Sequence, residues 1–340
     1  MKKQLLIWQL IHKSLVQDVP VMLLYVLESK GSSPGRQGFF MAVNQRGEME
    51  GSIGGGIMEH KFVEMAKGLL TDKESKPGDF LIKKQIHDKA AAQNQSGMIC
   101  SGEQLNFLYQ LGSADLSNVQ SLIRSLSGNN KGTLELSNKG LIFFENVTDE
   151  DNVRFEFESE ENWVYREKVG YKNTLHIIGG GHCALAFARI MSMMDFYIHL
   201  YDTRAELRTM QENYYVSEKK LLNDYSELNS LISSGHDQFV VAMTFGYRTD
   251  AIVVKALLGK DFRYFGLLGS SKKIRKLLGD LKTEGFSQEQ LNTIHAPVGL
   301  PINSQTPEEI AISIAAEIIQ IKNSGLKNIN DPDLRKIFSG

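Results

Sequence analysis

The chain has 340 residues, of which 42% are hydrophobic and 23% charged, the proportions of an ordinary globular protein long enough for about two domains with separate cores. With 38 basic residues against 40 acidic ones the net charge is -2, which excludes the strongly basic field that nucleic acid or an anionic membrane would call for and points to small-molecule or protein partners. Two cysteines, Cys100 and Cys183, are too few for a disulfide framework or a zinc site; with no secretory signal in the N-terminal stretch, a cytoplasmic location is expected.

The first fifteen residues, MKKQLLIWQLIHKSL, read as an amphipathic helix. Residues 1–168 are expected to form an α+β domain. Residues 21–27 have the pattern of a buried strand, Gly31-Ser32-Ser33-Pro34-Gly35 is a turn, strand character resumes over 38–43, and Asn44-Gln45-Arg46-Gly47 is a hairpin turn before a third short run. Gly51-Ser52-Ile53-Gly54-Gly55-Gly56 is the densest punctuation in the chain. Met58, Phe62, Met65, Ala66 and Leu69 follow it at helical spacing, so the glycines lie just before a helix N-terminus. Such a run either presents N–H groups to a phosphate or a carbonyl-rich heterocycle, or is a tight turn needing positive φ; both readings stay open. Further strands are expected at 80–86 and 104–111. The loop between them carries His87 and Cys100, the latter either an accessible thiol or a structural cysteine. Residues 115–126 read as a helix and 132–157 as short strands. The acid-rich segment 148–161 is a linker or a solvated edge strand, and a domain boundary is expected near 165–172.

Residues 172–322 then alternate between strand and helix. An apolar run at 175–178 enters Gly179-x-Gly181-x-x-Ala184, a helical pattern continues to 194, and a second apolar run ends in Asp202. In a Rossmann unit the first glycine allows the turn, the second admits a pyrophosphate, and the third small residue lets helix and strand pack closely. Asp202 is placed to accept from a ribose hydroxyl, and Arg204 leaves a 2′-phosphate contact open. A short strand at 219–223, a helix at 224–233, a strand at 238–244, a helix at 249–258 and a strand at 262–268 ending in Gly269-Ser270-Ser271-Lys272-Lys273 complete a parallel sheet covered on both faces. Ligands of such sheets bind beyond the strands' carboxyl ends, where 179–182, Asp202, 244–247 and 269–273 should converge. Lys272 and Lys273 either serve a second anion site or are a solvated first turn. Thr306, Pro307 and Glu309 form a capping box before a largely apolar helix, and 323–340 reads as a tail.

Several separated segments, ESKGSSPGR, GSIGGGIMEH, MICSGE, IIGGGHCA, YDTR, MT at 243–244, GLLGSSKK, PVGLPI and TPEEIAISIAAEI, occur in the order found in the XdhC/CoxI family of xanthine dehydrogenase accessory proteins, which the chain resembles over most of residues 20–322. The resemblance implies a maturation factor that binds the molybdenum cofactor, a pterin dithiolene with a phosphate tail. It would hold that cofactor for sulfuration, with a cysteine desulfurase as a further partner, and deliver it to a molybdenum hydroxylase such as xanthine dehydrogenase. By position, Cys100 matches the cysteine of a family Cys-Gly-Gly motif linked to cofactor binding, and Gly54, Gly55 and Gly56 match its glycine run. A thiolate would be a soft partner for molybdenum. Here the motif reads Cys100-Ser101-Gly102. Where many members carry Met-Thr-His-x-His this chain has Met243-Thr244-Phe245-Gly246-Tyr247, so no metal or acid–base role passes to positions 245 and 247. His182 and Cys183 match the family's Gly-Gly-Gly-His-Cys turn. His182 either contacts the cofactor or is a spacer that the helix dipole keeps neutral.

The residues marked for cofactor binding are therefore Gly54, Gly55, Gly56, Cys100, Gly179, Gly181, His182, Cys183, Ala184, Asp202, Arg204, Gly269 and Ser270, with Cys100 as the metal contact through the cofactor. The alternatives are an NAD(P)-dependent oxidoreductase using the Gly179 to Asp202 unit, and a protein-binding scaffold with a vestigial crevice. A symmetric homodimer is the prior expectation.

Overall fold

The computed structural model describes residues 2–86, 102–128, 130–146 and 152–324, which divide into two compact units at Gly170 and Tyr171. The first unit contains α1 (Lys2–Val16), β1 (Val21–Gly31), β2 (Phe40–Asn44), β3 (Met49–Gly51), α2 (Gly56–Thr71), β4 (Phe80–Ile86), β5 (Gly102–Leu111), α3 (Leu116–Gly128), β6 (Gly132–Ser137), β7 (Gly140–Glu145), β8 (Val153–Ser159) and β9 (Asn162–Val169). β1 to β5 form an antiparallel sheet in the order β3-β2-β1-β5-β4, and β6 to β9 a second one in the order β7-β6-β9-β8. Alternation along β1 sends Met22, Leu24 and Val26 to a core shared with Met58, Phe62 and Ala66 of α2. The intervening residue Tyr25 turns to the other face, where its ring meets Tyr165 of β9 and its hydroxyl donates to Glu167 at 2.5 Å. The first sheet is thus covered by α2 on one side and by the second sheet on the other. β8 is the outer strand of that second sheet and is mostly exposed, which puts Glu156 and Glu158 of the acid-rich segment at a solvated edge.

The second unit contains β10 (Asn173–Ile178), α4 (His182–Met191), β11 (Phe196–Asp202), α5 (Arg208–Gln211), β12 (Glu218–Leu221), α6 (Leu228–Leu231), β13 (Gly235–Ala242), α7 (Tyr247–Leu257), β14 (Phe262–Leu267), α8 (Ser271–Thr283), α9 (Gln288–Asn292), β15 (Ile294–His295) and α10 (Pro307–Lys322). All six strands are parallel, in the order β12-β11-β10-β13-β14-β15. In chain order that is 3-2-1-4-5-6, the dinucleotide-binding arrangement, whose switch point lies between β10 and β13. One face buries Leu175, Ile177, Phe239 and Val241 against α4 and α10; the other buries Ile178, Val240, Ala242 and Leu267 against α7 and α8.

Several elements differ from the sequence expectation, two of them for a reason the structure makes plain. The helix expected over 224–233 is a single 3-10 turn at Tyr225–Glu227 followed by the four residues of α6, because Asp224 and Glu227 close a capping box there and β13 begins early, at Gly235. The Gly31 to Gly35 turn also starts late. β1 runs on to Gly31, paired through to Gly102 of β5. Among the described residues no helix is long and apolar enough to cross a membrane. Cys100, His87 and most of the tail lie outside the described residues.

Candidate functional site

In the second unit β10 delivers Gly179, Gly180 and Gly181 to the switch point. Gly179 has φ +106°, and a Cβ there would lie 2.5 Å from the Met243 carbonyl oxygen, so β13 passes too close for a side chain. Gly180 accepts at its carbonyl from Thr209 Oγ1 at 2.5 Å, which holds the turn from the side of α5. Gly181, the uncapped residue before α4, has φ -73°, and a Cβ on it would meet nothing within 4 Å. Open space at that glycine is what the close approach of a ligand would require. Ala184 is buried in the core, as the close packing of helix on strand demands. His182 is exposed at the start of α4. Cys183 is half-buried, and burial followed by the charge of Glu308 pushes its thiol up, so it stays protonated at neutral pH.

Asp202 is fully buried at the end of β11, and its carboxylate is saturated. Oδ1 accepts from the Arg204 N–H and Nε, both at 2.9 Å, and Oδ2 accepts from the Gly180 N–H and Arg204 Nη2, both at 2.7 Å. Burial alone would raise this carboxyl, but the hydrogen bonds from Arg204 and from the Gly180 and Arg204 N–H groups outweigh it and hold it below its ordinary value. Four donors fill the four lone-pair positions of a carboxylate, so none is left for a ribose hydroxyl. The sequence expectation of a ribose acceptor therefore meets an ion pair instead. Phe245 lies over the Arg204 guanidinium, 4.6 Å from ring centroid to Cζ. Tyr247, the other position of the altered motif, instead donates to Asp280 of α8.

Beyond β13 and β14 a second polar group forms around Asp250, a fully buried residue in the first turn of α7. Thr244 Oγ1 donates to it at 2.5 Å and meets Thr249 Oγ1 at 2.6 Å, and Lys273 folds inward to form an ion pair with it. Gly269 is the residue over which that lysine passes, since a Cβ there would come 3.2 Å from Lys273 Cε. Ser270 caps α8 by accepting from the Lys273 N–H at 3.3 Å. The two lysines thus divide. Lys273 is tied into the interior and Lys272 is exposed in the first turn. Asp250 and Thr209 were not marked in the sequence, whereas Phe245 fell within the 244–247 segment expected at the crevice but had no role assigned; the one local signal for Asp250 was a Thr-Asp pair in the first turn of a helix after a strand.

In the first unit the glycine-rich segments cross. A Cβ on Gly35 would lie 2.0 Å from the Ile53 carbonyl oxygen, and one on Gly54 would lie 2.5 Å from the Gly35 nitrogen. Gln104 of β5 clips the crossing from below. Its Oε1 accepts from Ser33 Oγ at 2.9 Å and its Nε2 donates to the Ile53 carbonyl at 3.0 Å and to Asn106 Oδ1 at 2.8 Å. The N–H groups of the run are largely consumed. Glu59 of α2 accepts from Ile53 N at 2.9 Å, Gly55 N at 3.0 Å and Ser52 Oγ at 2.6 Å, while Gly54 N donates to Ser52 Oγ at 3.1 Å. Gly55 and Gly56 have positive φ and open space where a Cβ would stand. The run therefore serves as a turn with an internal anion already seated on it. Below the crossing, buried Asn106 Nδ2 and Gln85 Oε1 have no hydrogen-bond partner among the described residues. Gly102, which opens β5, is the nearest described residue to Cys100 in the chain.

Comparison with known proteins matches both units. Residues 175–318 fit the family model described as the XdhC Rossmann domain, and residues 15–81 that of the XdhC and CoxI family. Uncharacterized protein YqeB of Escherichia coli (strain K12) is 24% identical over 310 residues, covering 91% of this chain and 44% of that protein. A probable xanthine dehydrogenase subunit of Bacillus subtilis (strain 168) is 28% identical over 161 residues, 47% of this chain and 46% of the relative. The chain thus matches less than half the length of these curated relatives. A crystal structure described as a xanthine dehydrogenase from Bacillus halodurans superposes with a TM-score of 0.69 at 22% identity, over 96% of this chain and 98% of that one, and so has the same fold.

Proposed function

The chain belongs to the XdhC and CoxI family, and on that premise we propose that it is a maturation factor that binds the molybdenum cofactor, holds it during sulfuration and hands it to a molybdenum hydroxylase such as xanthine dehydrogenase. The observation that carries the reading is the pair of family matches, one in each unit of a single chain, together with the kinship to a probable subunit of xanthine dehydrogenase. When bound, the cofactor would supply a molybdenum centre on a pterin dithiolene, chemistry that belongs to the enzyme receiving it.

The residues present fit such a group in part. In the second unit, the open space at Gly181 before the uncapped start of α4 suits a phosphate. In the first unit, taken by itself, Asn106 Nδ2 and Gln85 Oε1, without hydrogen-bond partners among the described residues, offer one donor and one acceptor of the kind a pterin ring pairs with. Among the described residues no group of three His, Cys, Asp or Glu side chains could hold a metal. Cys183, kept as a thiol by burial, is a poor soft anion. The proposed thiolate is Cys100, by its position in the family motif. A cysteine desulfurase as sulfur source and a homodimeric state belong to the same proposal. The saturated Asp202 speaks against a nicotinamide oxidoreductase that reads a ribose diol there.

The test is purification of the full chain from a host that makes the cofactor, without oxygen and under reducing conditions, with molybdenum and released pterin quantified against protein. Near-stoichiometric recovery is expected, falling at least tenfold in Cys100→Ala while circular dichroism is unchanged. Recovery of neither from the wild-type chain would sink the reading. Parallel measurement of Gly181→Val separates the contribution of the second unit from that of the first.

A further inference from the structure

We propose that the crevice of the second unit binds a planar heterocycle carrying a phosphate monoester, with its ring stacked on Phe245 and the monoester on Arg204, and that it disfavours ligands offering a ribose diol in the monoester's place. The proposal rests on the maturation reading only in choosing a pterin phosphate as one of the probes.

Three observations carry it. First, Phe245 is 63% exposed although it lies three residues beyond the buried end of β13, and the Arg204 guanidinium lies over its ring. An aromatic face left in water at the carboxyl end of a parallel sheet is a stacking surface without its partner. Second, Arg204 is held rigidly. Its Nε and Nη2 fork onto a carboxylate with no exposure, while its own side chain is 36% exposed. A guanidinium has five N–H groups; the fork uses two, and the other three lie along the edge turned away from Asp202. That edge is preorganised for an oxyanion beside the Phe245 ring. Third, Asp202 has no acceptor position left, so the interaction by which such crevices select an unphosphorylated ribose is closed. Selection passes from the aspartate to the arginine. Both a dinucleotide with a 2′-phosphate and a pterin carrying a phosphate tail have the required chemistry.

The test is calorimetric titration of the full chain with NADP, NAD and a pterin monophosphate, with melting followed in parallel. At least one of the two monoester probes, NADP and the pterin monophosphate, is expected to bind, and NAD, which has the pyrophosphate but no monoester, to bind at least tenfold more weakly than that probe. Phe245→Ala should weaken the monoester probe about tenfold and Phe245→Tyr should retain it. Arg204→Lys should bring NAD and NADP within about threefold of each other. Because Phe245 is exposed, its variants are expected to fold, and they keep the proposal testable should Arg204→Lys not. NAD binding as well as NADP, affinity unchanged or improved in Phe245→Ala, or no binding of any probe would each overturn it. Binding of NADP without the pterin phosphate would uphold this crevice while removing the cofactor's phosphate from it; molybdenum recovery tests the maturation reading independently of either result.

Discussion

Gly35 and Gly181 both stand in glycine-rich motifs, for opposite physical reasons. Gly35 is needed by the protein itself, since a Cβ would press within 2.0 Å of the Ile53 carbonyl oxygen, and the backbone would have to move. Gly35→Ala is expected to cost about 3 kcal/mol or more, read as a lower urea midpoint with an unchanged slope. Gly181 meets nothing, so Gly181→Ala should cost under about 1 kcal/mol, the loss attending a poorer residue before a helix, and should act on ligand affinity instead. Equal losses in the two variants would mean that the space at Gly181 is a property of packing and not of binding. Asp202 carries the same lesson. An acid after the second strand was legible in the sequence, but its four donors come from the turn at Gly180 and from Arg204, and only geometry shows that they leave it saturated.

Among the elements, β10 and β11 place His176 against His199, with rings stacked 5.2 Å apart and Tyr201 extending the column. His176 is buried between the Tyr201 hydroxyl at 3.1 Å and Gln238 Oε1 at 2.8 Å, and burial lowers it to about 4. Burial lowers His199 too, against the opposing pull of Glu218. A histidine kept neutral in the fold binds fewer protons than in the unfolded chain between about 4 and 6.5. Its stabilisation is complete above about 6.5 and is lost as the pH falls toward 4, by up to roughly 3 kcal/mol for His176. Urea denaturation at pH 7, 6, 5 and 4 should show that decline, and His176→Gln should flatten it. An equal slope in the variant would assign the acid sensitivity to other groups. The apolar strands around the column were legible from their runs of Ile, Leu and Val. The ring stack was not, because it depends on register between two strands and not on the pattern within either.

At the scale of the molecule, each unit has its own buried core, with α2 over the antiparallel sheet in the first and helices on both faces of the parallel sheet in the second. A fragment of residues 171–340 is therefore expected to unfold cooperatively by itself; a broad, non-cooperative transition would mean that its core depends on the first unit. Local chemistry in the sequence determined the strand and helix alternation, the glycine turn after β10, the capping box that opens α10 and the placing of Glu156 and Glu158 at a solvated sheet edge. In each case the governing contacts lie within a few residues, and the apolar period declares which face is buried. Tertiary structure alone decided that Gln104 clips two glycine segments from a third, that Glu59 seats itself on the glycine run, that Asp250 draws Lys273 inward, and that Arg204 rather than Asp202 faces the crevice. Those outcomes turn on which polar groups meet after the parallel strands are ordered 3-2-1-4-5-6 and the antiparallel ones β3-β2-β1-β5-β4. A buried donor or acceptor takes whatever partner the fold brings within hydrogen-bonding reach, and a linear sequence does not record that distance.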